Sequence, residues 1–136
     1  NIIPDEVYME GTLRCFSEEH RRTVWHIIEA AAQSVDAKFG TTTEVDINHG
    51  YPAVVSDEEL VEKALALATE KGLTTKILGK RYTSEDFGFY CVQYPSLFYR
   101  LGVGAAAGKS HTSTFAPSEE AIAVGIDFME ALARSL

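Results

Sequence analysis

The chain has 136 residues, 46% of them hydrophobic and 24% charged, a globular composition that excludes intrinsic disorder and collagen-like repeats. Twelve Lys and Arg stand against twenty Asp and Glu, a formal charge of −8, so no basic face is available for nucleic acid or an anionic membrane. The best candidate for a membrane-spanning helix, Ala121–Ala133, is broken by Asp127 and Glu130. The length allows one ordinary domain or two small ones, with a core that needs neither metal nor disulfide staples. Cys15 and Cys91 make no disulfide framework and read as small buried hydrophobes of a reducing compartment. No secretory signal is evident. The chain starts at Asn1, just before a strand-like segment, and is expected to be a processed or truncated piece. Missing signals and sparse cysteine point to a cytoplasmic location.

Val7–Arg14 alternates, with Val7, Met9, Gly11 and Leu13 opposite Tyr8, Glu10, Thr12 and Arg14, which predicts a half-buried strand. Ser17 predicts a helix N-cap, with Glu18 and Glu19 at the positive end of the helix dipole. Val24, Ile27, Ile28, Ala31 and Val35 form one apolar stripe, and Gly40 stands at the C-cap. Thr43–His49 alternates again. The first fifty residues thus read strand, helix, strand. Gly50-Tyr51-Pro52 marks a domain boundary.

Ser56 and Glu59 form a capping box ahead of a helix through Leu60, Val61, Ala64, Leu65, Leu67 and Ala68, stopped by Gly72. Thr74–Leu78 is a candidate short strand, and Thr83–Tyr90 a candidate loop leading into a short helix. Leu97–Val103, apolar but for Arg100, predicts a largely buried strand. Gly102–Lys109 is a Gly- and Ala-rich loop. Ser118 caps a last helix with apolar Ile122, Ile126, Met129 and Leu132 or Leu136.

His20 and His26 lie six residues apart, which is not the spacing that lets two imidazoles share a metal. They read as surface or boundary residues, and His49 is uninformative. His111 follows a buried strand and a Gly-rich loop, where ligand-binding residues are often placed. Ser84-Glu85-Asp86-Phe87 sets two carboxylates beside an aromatic cluster, and its plain reading is helix capping. No phosphate-binding Gly motif, nucleophile elbow or zinc-ribbon spacing is present.

Asn1-Ile2-Ile3-Pro4, Glu10-Gly11-Thr12-Leu13-Arg14, Gly50-Tyr51-Pro52, Ser84-Glu85-Asp86-Phe87, Leu101-Gly102-Val103-Gly104 and His111 with Phe115 occur in this order. Together they resemble the C-terminal third of the amidohydrolase branch of the zinc aminoacylase/carboxypeptidase family. That branch holds hippurate hydrolases, N-acetyl-diaminopimelate deacetylases and plant auxin-conjugate hydrolases. The resemblance implies a mixed α/β fold in two parts. Residues 1–53 would be the second, strand–helix–strand half of a ferredoxin-like lid and dimerisation domain. Residues 54–136 would be the C-terminal α/β segment of a zinc-peptidase-like catalytic domain, with Gly50–Val54 as the hinge.

The resemblance further implies hydrolysis of the amide bond of small N-acyl amino acids by a pair of divalent metals, usually zinc. His111 would be the last metal ligand, in His111-Thr112-Ser113-Thr114-Phe115 where the family has His-Ser-Pro-x-Phe. Asn1 and Arg14 would contact substrate, and Arg14 suits a carboxylate because its planar fork binds one bidentately. Glu85 and Asp86 would lie near the site. The general base and remaining ligands are expected upstream, in the missing N-terminal part, so this chain alone is expected to be inactive and to hold no metal stably. Half a lid leaves a strand edge and a helix face uncovered, so a homo-oligomer is expected. The alternative is a non-catalytic α/β module that self-associates. No nucleic-acid or membrane partner is expected.

Overall fold

The computed structural model describes residues 1–136 and contains four helices joined by irregular chain. They are α1 (Glu18–Phe39), α2 (Glu58–Glu70), α3 (Gly88–Gln93) and α4 (Glu119–Ser135). The chain divides into two units. The first is Asn1–Ala53 with Lys80–Asp86, and the second is Val54–Gly79 with Phe87–Leu136.

The α/β class expected from the sequence is corrected, because no residue belongs to a strand. Residues 7–14, 43–49, 74–78 and 97–103 are all irregular, and no backbone ladder joins them. The strand–helix–strand half-lid and the α/β segment after it are therefore absent as sheet structures. Alternation of apolar and polar residues states which side of an extended segment would be wetted. A strand exists only where a neighbour's N–H and C=O groups complete the ladder. None of these segments finds such a neighbour within the chain.

In the first unit, Ser17 caps α1 as the sequence indicates, its hydroxyl accepting the His20 N–H at 3.2 Å. Gly40 closes the helix in the left-handed conformation at φ 70°, its N–H donating to the Asp36 carbonyl. The apolar stripe is not buried, with Ile27 59%, Ile28 42% and Val35 48% exposed. The buried residue of α1 is instead Arg21. Its Nη1 donates to the carbonyls of His49 and Tyr51, each at 2.9 Å. Its Nη2 pairs with Glu18, whose carboxylate also accepts the Ala53 N–H at 2.9 Å. Trp25 stacks on His49 with ring centroids 4.3 Å apart. One ion pair thus fastens residues 49–53 to the first turns of α1.

In the second unit, α2 begins one residue later than the capping box suggests. Asp57 is the N-cap and accepts the Leu60 N–H at 3.0 Å. Ser56 is used elsewhere, accepting the Phe98 N–H at 3.1 Å. Gly72, at φ 67°, ends the helix, and the Leu73 N–H donates back to the Ala68 carbonyl at 2.8 Å, the bond of a Schellman turn. Ala64 and Ala68 of α2 meet Phe128 and Leu132 of α4, with Leu67, Leu73, Leu97 and Tyr99 around them. Tyr99 presents its ring edge-on to Phe128 at 5.3 Å, a favoured aromatic geometry. The apolar face expected of α4 is corrected in part, because Ile122, Ile126 and Met129 are more than half exposed, while Leu132 is buried together with Phe128.

The accessible surface is 11602 Å², whereas a folded monomer of this mass exposes about 7,000 Å². Much apolar surface is therefore uncovered. No helix is long and apolar enough to cross a membrane.

Phe128→Ala should lower the unfolding free energy by about 3–5 kcal/mol, enough to melt α2 and α4 in circular dichroism. Ile126→Ala, on the exposed stripe of the same helix, should change it by less than about 0.5 kcal/mol. Equal effects would contradict the assigned core. Asp36 accepts the Thr41 and Thr43 hydroxyls at 2.6 and 2.7 Å and the Thr43 N–H at 2.8 Å. The Thr41 hydroxyl first, then that of Thr43, holds its carboxyl below the ordinary 3.8. A lowered folded value means that its contribution is complete above the ordinary value and is lost as pH falls through the lowered one. A carbon-detected titration should place the Asp36 midpoint below 3.8. Acid fraying of the α1 C-terminus should vanish in Asp36→Asn.

Candidate functional site

His111 stands on a loop built by backbone bonds. The Ser118 N–H donates to the Val103 carbonyl at 2.9 Å, and the Ala116 N–H to the Ala107 carbonyl at 3.0 Å. These bonds hold residues 103–107 beside 116–118. Gly104 has φ 94°, and a Cβ there would come within 3.3 Å of the Ser118 Cβ, so glycine permits both the turn and the close approach. The intervening residues bend at 110–114. Thr112 donates its hydroxyl to the Lys109 carbonyl at 2.8 Å, and the Phe115 N–H reaches the Thr112 carbonyl at 3.2 Å.

At the tip of this loop His111 adopts φ 64° and is the only non-glycine residue with positive φ. Side chains other than glycine pay roughly 1–2 kcal/mol for that conformation. The imidazole is exposed and makes no hydrogen bond to the chain. The other histidines are differently placed. His26 lies 3.4 Å from Glu29, His49 is stacked on Trp25, and His20 is exposed on α1.

In the first unit, Arg14 Nη1 donates to the Tyr82 carbonyl and to the Ser84 hydroxyl, each at 3.0 Å. Phe16 packs on Tyr82 with centroids 4.2 Å apart, and Lys80 Nζ lies 5.6 Å from the Phe16 ring centre. Residues 80–86, which include Glu85 and Asp86, are thereby fastened to the chain around Arg14. Glu85 is half-buried and Asp86 exposed. Neither forms an ion pair with Arg14, whose charge meets no carboxylate within ion-pair distance. The capping reading of Ser84 is corrected, since α3 starts at Gly88 behind Phe87 with no side-chain cap bond. Asn1 is exposed and makes no side-chain hydrogen bond.

No three His, Cys, Asp or Glu side chains come together in a group able to hold a metal ion. His111 is thus one donor without companions, and these residues alone do not build a metal site. An apolar cavity of about 270 Å³ in the second unit is lined by Leu60, Phe87, Tyr90, Leu97, Leu132 and Leu136 among others, and holds none of the sequence-derived site residues. Sequence reasoning missed Arg21 and the tie from Ser84 to Arg14. The first had a signal in its i, i+3 spacing from Glu18. The second had none, as its partners lie 70 residues apart.

The strain at His111 is directly measurable. His111→Gly should stabilise the second unit by up to about 1 kcal/mol, while His111→Val should destabilise it, because a β-branched residue tolerates positive φ worst. Thermal unfolding of the two variants ranks them, and a less stable glycine variant would refute the strain.

Residues 4–135 match the family model described as peptidase family M20/M25/M40. The chain is 36% identical over 132 residues to the N-acetyldiaminopimelate deacetylase of Shouchella clausii, covering 96% of this chain and 35% of that protein. It is 31% identical over 130 residues to the protein of that name from Bacillus subtilis, covering 95% of this chain and 34% of that one. An uncharacterized hydrolase of Sinorhizobium fredii is 35% identical over 126 residues, 90% of this chain and 31% of its own length. The chain thus spans about a third of the length of the curated relatives it matches. No solved structure matches it. With the family model covering nearly every residue, the chain belongs to peptidase family M20/M25/M40.

Proposed function

We propose that this chain is part of a metal-dependent amidohydrolase that cleaves the amide bond of N-acyl amino acids. The observation that carries the reading is His111, an exposed imidazole free of partners, held at a strained backbone angle within the family match. Strain of this kind concentrates at functional sites. The relatives' name, N-acetyldiaminopimelate deacetylase, supports removal of an acyl group from an amino acid nitrogen. The remaining metal ligands and the general base would come from polypeptide beyond these residues.

In this reading His111 offers one neutral imidazole nitrogen to a divalent cation, zinc by its liking for nitrogen donors. Such an ion, when bound, would act as a Lewis acid and lower the pKa of water so that hydroxide is available as nucleophile at neutral pH. Arg14 binds the substrate carboxylate through Nε and Nη2, the donors left over after Nη1 is used on Tyr82 and Ser84. Asn1 lies at the same substrate, and Glu85 and Asp86 border it. Residues 1–53 would serve the lid and 54–136 the catalytic domain of the complete protein.

An accessible surface of 11602 Å², against about 7,000 Å² for a folded monomer of this mass, favours a second reading, in which the chain self-associates without catalysis. Light scattering separates the two, since a stable dimer with no metal affinity and no hydrolase activity in any longer form would favour association. For the leading reading, His111→Ala in the complete enzyme should abolish most of the bound metal and at least about 100-fold of the turnover of an N-acetyl amino acid. Metal analysis and kinetics check this. Unchanged metal content and turnover would overturn it.

A further inference from the structure

We infer that Ser84 is a positioning residue for Arg14, and that it helps set a preference for substrates bearing a free carboxylate over neutral analogues. The inference rests on the reading of Arg14 as the carboxylate-binding residue. Arg14 is exposed, and a free arginine side chain must give up considerable rotamer freedom to bind anything. Here part of that cost is met before substrate arrives. Nη1 is held at 3.0 Å by two oxygens, the Tyr82 carbonyl and the Ser84 hydroxyl. The carbonyl is itself placed by the packing of Tyr82 on Phe16. A guanidinium fixed at one nitrogen presents the edge formed by Nε and Nη2 in a set direction, which is the edge a carboxylate takes bidentately.

The chemistry of the two acceptors matters as much as their position. Both are uncharged, so they orient the guanidinium without neutralising it. Glu85 and Asp86 follow directly in the chain, yet neither pairs with Arg14. A carboxylate at position 84 would hold Arg14 as firmly, but would compete with the carboxylate of the substrate. A serine hydroxyl holds it and leaves its charge available.

The test compares an N-acetyl amino acid with its C-terminal carboxamide on the complete enzyme. Ser84→Ala should raise KM for the acid about threefold to tenfold, with kcat retained and KM for the carboxamide unchanged. Ser84→Thr, which keeps the hydroxyl, should restore it. Ser84→Asp should remove the preference for the acid. Arg14→Ala should raise KM for the acid more than any of these. A raised KM in Arg14→Ala with no change in Ser84→Ala would overturn the role of Ser84 alone. An unchanged KM in Arg14→Ala would overturn the carboxylate reading itself, and the inference with it. Nitrogen-detected NMR of the 136-residue chain decides the positioning separately, because rotation of the Arg14 guanidinium should quicken in Ser84→Ala and stay slow in Ser84→Thr. Equal rotation in all three forms would overturn it.

Discussion

Phe128 and Leu132 of α4 close over Ala64 and Ala68 of α2, and the organisation of the second unit depends on that contact. Alanines on one helix leave room for large side chains on the other. Tyr99 and Leu97 join the cluster, which fixes the start of the chain leading to His111. Ser118, just before α4, fixes its end through the bond to Val103. The loop bearing His111 is therefore clamped at both sides by elements of one small core. Its strained angle persists because the surroundings determine it, as strained residues require.

The first unit is organised by charge rather than by apolar packing. A buried arginine is costly unless its donors are used. Arg21 uses Nη1 on two carbonyls and Nη2 on Glu18, while its Nε remains without a partner. The apolar stripe of α1 meanwhile faces outward. The helix thus buries an arginine and leaves its isoleucines exposed. The exposed stripe of α4 has the same character.

Local signals were the legible part of the sequence. Ser17, Gly40, Gly72 and Ser118 all mark helix ends where the structure has them, because caps are decided within a few residues by unpaired backbone groups. Leu60, Val61, Ala64, Leu65, Leu67 and Ala68 of α2 are all buried or half-buried as the pattern indicates. The absence of strands was not legible, because alternation in residues 7–14 and 43–49 says nothing about whether a ladder partner exists. The face read for α4, Ile122, Ile126 and Met129, proved exposed, since helical period alone does not pick the buried face and only contact with Ala64 and Ala68 selects Phe128 over Ile126. Family membership was legible from ordered short motifs, each weak alone. His111 stood out by its place after a Gly-rich loop, but its positive φ is a property of the folded loop and leaves no mark in the sequence.

Under the proposed function, these residues serve a metal-dependent amidohydrolase longer than themselves. Native mass spectrometry of the protein captured from its natural source, with an antibody to this segment, tests it most directly. The account predicts a mass well above 14.9 kDa, bound divalent metal, and loss of N-acetyl amino acid hydrolysis when a chelator strips that metal. A species of 14.9 kDa without metal would contradict it.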